Sequence, residues 1–556
     1  MIIIYKRNMK YIYHNISLII LSVLFCWGCS DNDDEQATGS QPVFGFLQST
    51  IEVPYSAGEA IVVVENAGMA WEIVMDENKG IVSGFSQTQN GSSEESKKRY
   101  TQVKISYGEN PTEEVREQEI FLINKETEER KRMTVRQNSK FAPVSLIIDA
   151  STKYQYVDGI GGMNTETKWV GDEFLITEKE MAKMYGPGSL GFNILHIMTA
   201  ETQKVLDDNK TRALWAQRLG ATIFASSDVP ASLRSGSGDN LHIDPSNYEA
   251  YADYIIDYIN DLKESGVNLY AISLQNEPDM SGCWTPDAFR DFVKTYGAKI
   301  KATGVKIMTP EACGFQPEYT DPILNDPAAF GVTDIVAGHL YQGFMDTTSD
   351  YVRERHDYIC NLYNNHLAPA GKGGWWMTEH LFNDGEKEDD QALWLWWNWD
   401  YSLSHLGKEV HMCMDGFCSA YIYFYLKRFY SILGDPDGRS PVASGEIMQN
   451  GYILSHYAKY ASNMTRVKVD CGDDEVLATA YVNASDDEIT LVLLNMKNGY
   501  FKANISVPNV ISEINAIETN ADRTMEDATT YLADDQQSAS VLLSPVSIVS
   551  VRLKLK

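Results

Sequence analysis

The chain has 556 residues, of which 44% are hydrophobic and 11% aromatic, and a formal net charge of -30. That length and apolar content exceed one ordinary domain and exclude a disordered scaffold, so two or three domains are expected. The acidic balance repels phosphate backbones and anionic lipid, which rules against nucleic acid and favours a neutral or cationic partner.

Residues 1–29 read as an export signal. Lys6, Arg7 and Lys10 precede the apolar stretch Ile16 to Trp27, which is too short to span a bilayer. Gly28 before Cys29, and the acidic run Asp31 to Glu35 after it, resemble the surface-exported lipoproteins of Gram-negative bacteria. That resemblance implies that Cys29 is acylated and that a lipid anchor is the only membrane contact, at the outer membrane surface. Cys26 departs from the usual aliphatic residue, and a cleaved soluble signal is the alternative. Residues 30–42 are polar, without apolar periodicity, and read as a tether.

From 43 to 140, short alternating runs such as Ala60–Val64 and Thr101–Ile105 lie between Gly and Asn clusters, which predicts a small Ig-like β-sandwich. Its single central Trp71 is expected in the core. The closing strand Arg132–Gln137 resembles BACON-type modules, and a spacer role is expected.

From 144 to 455, apolar runs alternate with helical stretches, the pattern of a (β/α)8 barrel. Eight strands are predicted around 158–161, 193–197, 221–224, 269–274, 306–308, 335–338, 375–377 and 420–424. Between two of them, Ala252, Ile255, Ile256 and Ile259 form one apolar helical stripe that Gly266 ends. Thr285 followed by Pro286 starts another helix, which stops near Gly304. From 456 to 556 the period returns to two, as in Glu488–Leu494, and predicts a C-terminal β-sandwich.

In a barrel, chemistry sits at the C-terminal ends of the strands. The fourth predicted strand runs into Asn276, Glu277 and Pro278, and the seventh into Glu379 and His380. Two carboxyl groups, one donating a proton and one attacking the anomeric carbon, are what glycoside cleavage requires. Glu277 and Glu379 are therefore the candidate catalytic pair.

The motifs Asp158-Gly159-Ile160-Gly161-Gly162-Met163-Asn164, Gly266-Val267-Asn268-Leu269-Tyr270-Ala271-Ile272-Ser273, Asp321-Pro322-Ile323-Leu324-Asn325-Asp326-Pro327 and Trp376-Met377-Thr378-Glu379 resemble glycoside hydrolase family 30. Within it the bacterial glucuronoxylanase-type subfamily is the nearest likeness. The resemblance runs from about 144 to the end and implies a retaining endo-β-1,4-xylanase acting on a polysaccharide, xylan, with no cofactor and no metal. It makes Glu277 the acid/base and Glu379 the nucleophile, and has Asn276 bonding the sugar 2-hydroxyl. A raised pKa is expected at Glu277, helped by the charge of Glu379. His339 and Tyr341 match the family's His-Leu-Tyr and are expected to orient the nucleophile; a structural histidine is the alternative.

Several positions depart from the subfamily. His196 stands where an arginine is usual; a histidine can still donate to the nucleophile but is more often neutral and leaves less charge to hold Glu379 ionised, and Asp228 replaces a tryptophan platform. Arg428 and Tyr430 match the pair with which the family holds the glucuronosyl side chain, and a surface charge pair is the alternative for Arg428; His380-Leu381-Phe382 replaces the tyrosine-bearing loop after the seventh strand, and Phe424 replaces a tryptophan. An exo-acting β-xylosidase, β-glucosidase or β-1,6-glucanase therefore stays open, as does a glycan-binding lipoprotein without activity. Cys283, Cys313, Cys360, Cys413, Cys418 and Cys471 lack metal or disulfide spacing and are expected as free thiols.

Overall fold

The computed structural model describes residues 44–66, 68–75, 80–90, 100–112, 115–166, 170–381 and 398–556. The expected export signal with Cys29, the expected tether and Phe382 lie outside the described residues.

The first domain is built from two four-stranded sheets, one carrying Gly58–Glu65 and Tyr100–Tyr107, the other Arg116–Asn124 and Arg130–Gln137. Alternate residues of these strands (Val62, Val64, Val103, Ile105, Ile120, Leu122, Met133 and Val135) meet in one core. Trp71 lies in that core with no exposed surface, as its isolation in the sequence suggested, so it offers no face to a sugar.

Eight parallel strands close the barrel in chain order: β1 (Gly159–Met163), β2 (Ile194–Met198), β3 (Thr222–Ser226), β4 (Leu269–Ser273), β5 (Lys306–Ala312), β6 (Ile335–His339), β7 (Trp375–His380) and β8 (Cys418–Tyr423). All eight coincide with the predicted strands. Every second residue faces inward, and Ile194, Phe224, Ala271, Met308, Ala337, Trp376, Ala420 and Ile422 fill the interior. The larger core lies between the strands and the outer helices.

Glycine sets how closely β1 and β2 approach. A Cβ on Gly161 would lie 1.8 Å from the carbonyl oxygen of Ile194, which no side chain can occupy. The helix Tyr248–Glu264 buries Ala252, Ile255 and Ile259 and is stopped by Gly266 at φ 87°. The helix Pro286–Lys301 starts where Thr285 accepts the Ala288 N–H, with proline in its first turn.

The domain boundaries expected at 144 and 456 move. The strand Ala142–Val157 does not enter the barrel; it pairs antiparallel with Met464–Cys471 and parallel with Phe501–Ser506, at the middle of a ten-stranded sheet. Its alternating Val144, Leu146 and Ile148 need an apolar partner, and they find it in the core of the C-terminal strands. Across 456 the chain is still helical, from Gln449 to Tyr460. The ten strands fold back on themselves, because Val551 and Leu553 from one half share a core with Ala503, Ile505 and Val541 from the other. The six cysteines among the described residues are free thiols.

Candidate active site

The barrel interior changes from apolar to polar toward the C-terminal ends of its strands. Above Ile194 and Phe224 the inward side chains are His196, Ser226, Ser273, Glu311 and His339, all without exposed surface. They form the floor of a cleft of about 580 Å³ lined by Met198, Glu201, Asp228, Asn276, Glu277 and Glu379, among others.

Glu379 enters from β7 just past a register shift between β6 and β7 at Gly338 and His339. Glu277 lies four residues beyond β4, and its backbone has the left-handed φ of 45° that a β-carbon disfavours. Its N–H donates to the carbonyl of Glu311 at 3.0 Å, and its own carbonyl accepts from Met280 and Ser281. This cross-strand bond holds the strained residue, so its side chain is aimed across the cleft mouth. One oxygen each of Glu277 and Glu379 and one ring nitrogen of His339 lie within 4.8 Å of one another.

The two carboxyl groups have different surroundings. His339 Nδ1 is 2.9 Å from Glu277 Oε1, whereas the Tyr341 hydroxyl donates to Glu379 Oε1 at 2.8 Å. His339 thus hydrogen-bonds the expected acid/base and, among the described residues, Tyr341 hydrogen-bonds the nucleophile, whereas both were expected to serve Glu379. The reason is geometric: His339 ends β6 with its ring directed inward toward Glu277, while Tyr341 lies two residues further along the loop.

Proton affinities also run opposite to expectation. Burial alone would raise Glu277, but the hydrogen bond and charge of His339 outweigh it and hold the carboxyl below its ordinary value. Glu379 is pushed up to about 8 by burial, with the charge of Glu277 adding to it against His339 and the Tyr341 hydroxyl. Burial disfavours the imidazolium of His339, yet the charges of Glu379 and Glu277 and the contact with Glu311 carry it well above the usual histidine range. The opposite shifts let the two carboxyl groups share one proton near neutral pH.

The other predicted residues divide. Asn276 lines the cleft beside both glutamates, and its buried Oδ1 has no hydrogen-bond partner among the described residues. It is available to a sugar hydroxyl. His196 does not reach Glu379; it stacks on Phe224 with centroids 4.3 Å apart, and its Nε2 lies 2.8 Å from the Ser226 hydroxyl. An imidazole is shorter than the arginine it replaces, and burial pushes its pKa down to about 4, so it is neutral and packed rather than a charge beside the nucleophile. Asp228 does line the cleft, where it accepts from Gln275 at 3.0 Å in place of an aromatic platform.

Arg428 and Tyr430 do not line this cleft. The guanidinium of Arg428 lies 5.0 Å over the Phe174 ring and 3.9 Å from Asp435, and Tyr430 is buried with Met163, Met198, Tyr425 and Phe429. The Phe174 ring and the Asp435 carboxylate are thus neighbours of the guanidinium, the surroundings that a charge pair would give it.

Sequence reading missed Glu311, Cys313 and Arg234. Glu311 ends β5 and Arg234 belongs to a short hairpin in the loop after β3, where it lines the cleft. The Cys313 thiol contacts the Glu277 carboxyl. A glutamate three residues past the predicted fifth strand was the one available signal, because a carboxylate at a strand end of a barrel lies at the site.

Residues 222–377 match the model of the glycosyl hydrolase family 30 TIM-barrel domain. The chain is 29% identical over 380 residues to the glucuronoxylanase XynC of Bacillus subtilis (strain 168), which covers 66% of this chain and 82% of that protein. Among solved structures it superposes on the family 30 subfamily 8 xylanase Xyn30A of Clostridium acetobutylicum with a TM-score of 0.59, at 24% identity, covering 74% of this chain and 99% of that one. The likeness in fold extends to the endo-β1,6-glucanase BT3312, with a TM-score of 0.52 at 17% identity, covering 74% of this chain and 94% of that one.

Proposed function

We propose that this protein is a retaining β-glycosidase of family 30 that hydrolyses xylan internally. The observation that carries the reading is the approach of Glu277 and Glu379, whose nearest site atoms lie within 4.8 Å at the barrel mouth. Inverting enzymes hold their carboxyl groups about 6.5–9.5 Å apart to admit a water between them, whereas retaining ones need about 5–5.5 Å.

In the first step Glu379, as carboxylate, attacks the anomeric carbon while Glu277 gives its proton to the departing glycosidic oxygen. The proton that the pair shares must therefore sit on Glu277 when substrate is bound. Developing positive charge on the sugar favours the ionised Glu379, and the sugar's hydroxyls replace the solvent that Glu277 faces. In the second step Glu277 takes a proton from water, and the resulting hydroxide displaces Glu379 from the anomeric carbon. The free Asn276 amide oxygen accepts the sugar 2-hydroxyl, and Tyr341 holds the nucleophile in line.

Xylan is favoured as substrate by the likeness to glucuronoxylanase XynC. A second reading, exo action or a different β-glycan, is favoured by Asp228 in place of an aromatic platform and by the position of Arg428 outside the cleft lining. Product analysis separates the two. Oligosaccharides of several lengths from glucuronoxylan or arabinoxylan support internal xylan cleavage. Release of single sugars, or activity confined to another β-glycan, overturns the substrate and keeps the mechanism; inactivity of the wild type on every β-glycan, with unaltered binding by Glu379→Gln, indicates a glycan-binding protein.

The same proposal places the protein at the outer membrane surface through acylated Cys29, with the first sandwich as a BACON-type spacer. Radiolabelled fatty acid incorporated into the wild type and lost in Cys29→Ala is the expected result. Equal labelling of both would remove the anchor.

A further inference from the structure

Behind the two cleft glutamates lies a third carboxylate that the double displacement does not use. Glu311 has no exposed surface, a left-handed φ of 59°, and one carboxylate oxygen, Oε2, without a hydrogen-bond partner among the described residues. Burying a carboxylate costs several kcal/mol in general, so its place under a cleft calls for a function. Its Oε1 accepts from the Ser226 hydroxyl at 2.9 Å and lies 3.8 Å from His339 Nε2, while the opposite nitrogen of that ring contacts Glu277 at 2.9 Å. Its carbonyl also receives the Glu277 N–H at 3.0 Å.

We propose that Glu311 is a positioning residue for the acid/base: through the His339 ring and through its own carbonyl it fixes where Glu277 points and how tightly Glu277 holds its proton. A carboxylate on each side of one buried imidazole keeps the ring cationic and its Nδ1–H aimed at Glu277. The inference rests on Glu277 being the acid/base.

The groups that face the ring are Glu277 from the loop after β4, Glu311 from β5, Glu379 from β7 and, further off, His196 from β2 and Asp279. Glu277 itself faces His339, Cys313, Glu311 and Glu379. Removing the Glu311 charge acts on Glu277 in two ways. The lost repulsion would lower its pKa, and the weakened imidazolium would raise it. The hydrogen-bonded ring is the nearer of the two, so the rise wins; the alkaline limb reads the proton that Glu277 shares with Glu379, on which the charge of His339 likewise outweighs that of Glu311.

The test compares full-length wild type, Glu311→Gln and Ser226→Ala. Ser226→Ala deletes the hydroxyl that donates to Glu311 and also contacts His196, leaves the Glu311 carboxyl in place, and serves if the glutamine variant does not fold. Two quantities are read: the alkaline limb of kcat/KM on an aryl β-glycoside that the wild type cleaves, and the titration of His339 by NMR of 15N-histidine protein, its signal identified by its loss in His339→Gln. In Glu311→Gln the limb is expected to move up by about one pH unit and the His339 titration to fall by at least as much, with the same directions and smaller steps in Ser226→Ala. Reduced activity with both quantities at their wild-type positions, or a limb that moves down, would overturn the proposal. Should the wild type cleave no β-glycoside, the assignment of Glu277 falls, while an unmoved His339 titration would separately remove the link to Glu311.

Discussion

Tyr341 donates its hydroxyl to Glu379 Oε1 at 2.8 Å, and it is the partner that the nucleophile receives from the loop after β6. A hydrogen bond to a charged group contributes about 1.5–3 kcal/mol. Tyr341→Phe keeps the ring and removes only the hydroxyl, so kcat is expected to fall roughly 10- to 100-fold with little change in folding. Steady-state kinetics beside a thermal melt checks this. Unchanged kcat would mean that the bond does not persist once substrate is bound.

The pair of carboxyl groups titrates as one unit. Glu277 is lowered from the ordinary glutamate value and Glu379 is raised to about 8, so between those limits the pair carries a single proton. That is the state that the first step needs. The profile of kcat/KM against pH is therefore expected to be bell-shaped, with an alkaline limb near about 8 and an acid limb below the usual carboxylate range. The same shift bears on stability. A carboxyl whose folded pKa is raised stabilises the fold most below its unfolded value, and that contribution is lost as pH rises through about 8. Glu379→Gln should accordingly abolish turnover and raise the melting temperature at neutral and alkaline pH; a lower melting temperature there would contradict the burial argument.

Arg428 lies between Phe174 and Asp435 and outside the glutamate cleft. Its replacement by alanine is expected to leave the ratio of activities on glucuronoxylan and undecorated xylan within about twofold, since no cleft contact is lost. A tenfold or greater drop confined to the decorated polymer would show that Arg428 reaches substrate.

Gly161→Ala would place a methyl group 1.8 Å from the Ile194 carbonyl, a backbone atom that cannot rotate away. β1 and β2 would have to part, at about 1–3 kcal/mol or more. Denaturant unfolding should register that loss, whereas Gly188→Ala, whose position has open space but a positive φ, tests the backbone contribution alone.

What the sequence disclosed was what local pattern controls. The eight barrel strands, the helix ended by Gly266 and the one started by Thr285 and Pro286 all follow from periodicity and capping, which depend on neighbours a few residues away. Glu277 and Glu379 were visible because the barrel rule ties chemistry to strand ends. Less visible were relations across the barrel. That His339 serves Glu277 and that His196 contacts Ser226 each join residues from different strands or loops. The reversed proton affinities share that origin, because they depend on His339 and on how deeply each carboxyl is buried.

The strand Ala142–Val157 bears on how the protein is made. A ribosome delivers it early, yet both of its partners, Met464–Cys471 and Phe501–Ser506, emerge only after some 300 further residues. At roughly 5–20 residues per second this is an interval on the order of 15–60 s, during which the apolar face of Val144, Leu146 and Ile148 has no companion. The barrel must be translated through in the meantime, so synthesis of the C-terminal strands sets the earliest moment at which that face can be covered.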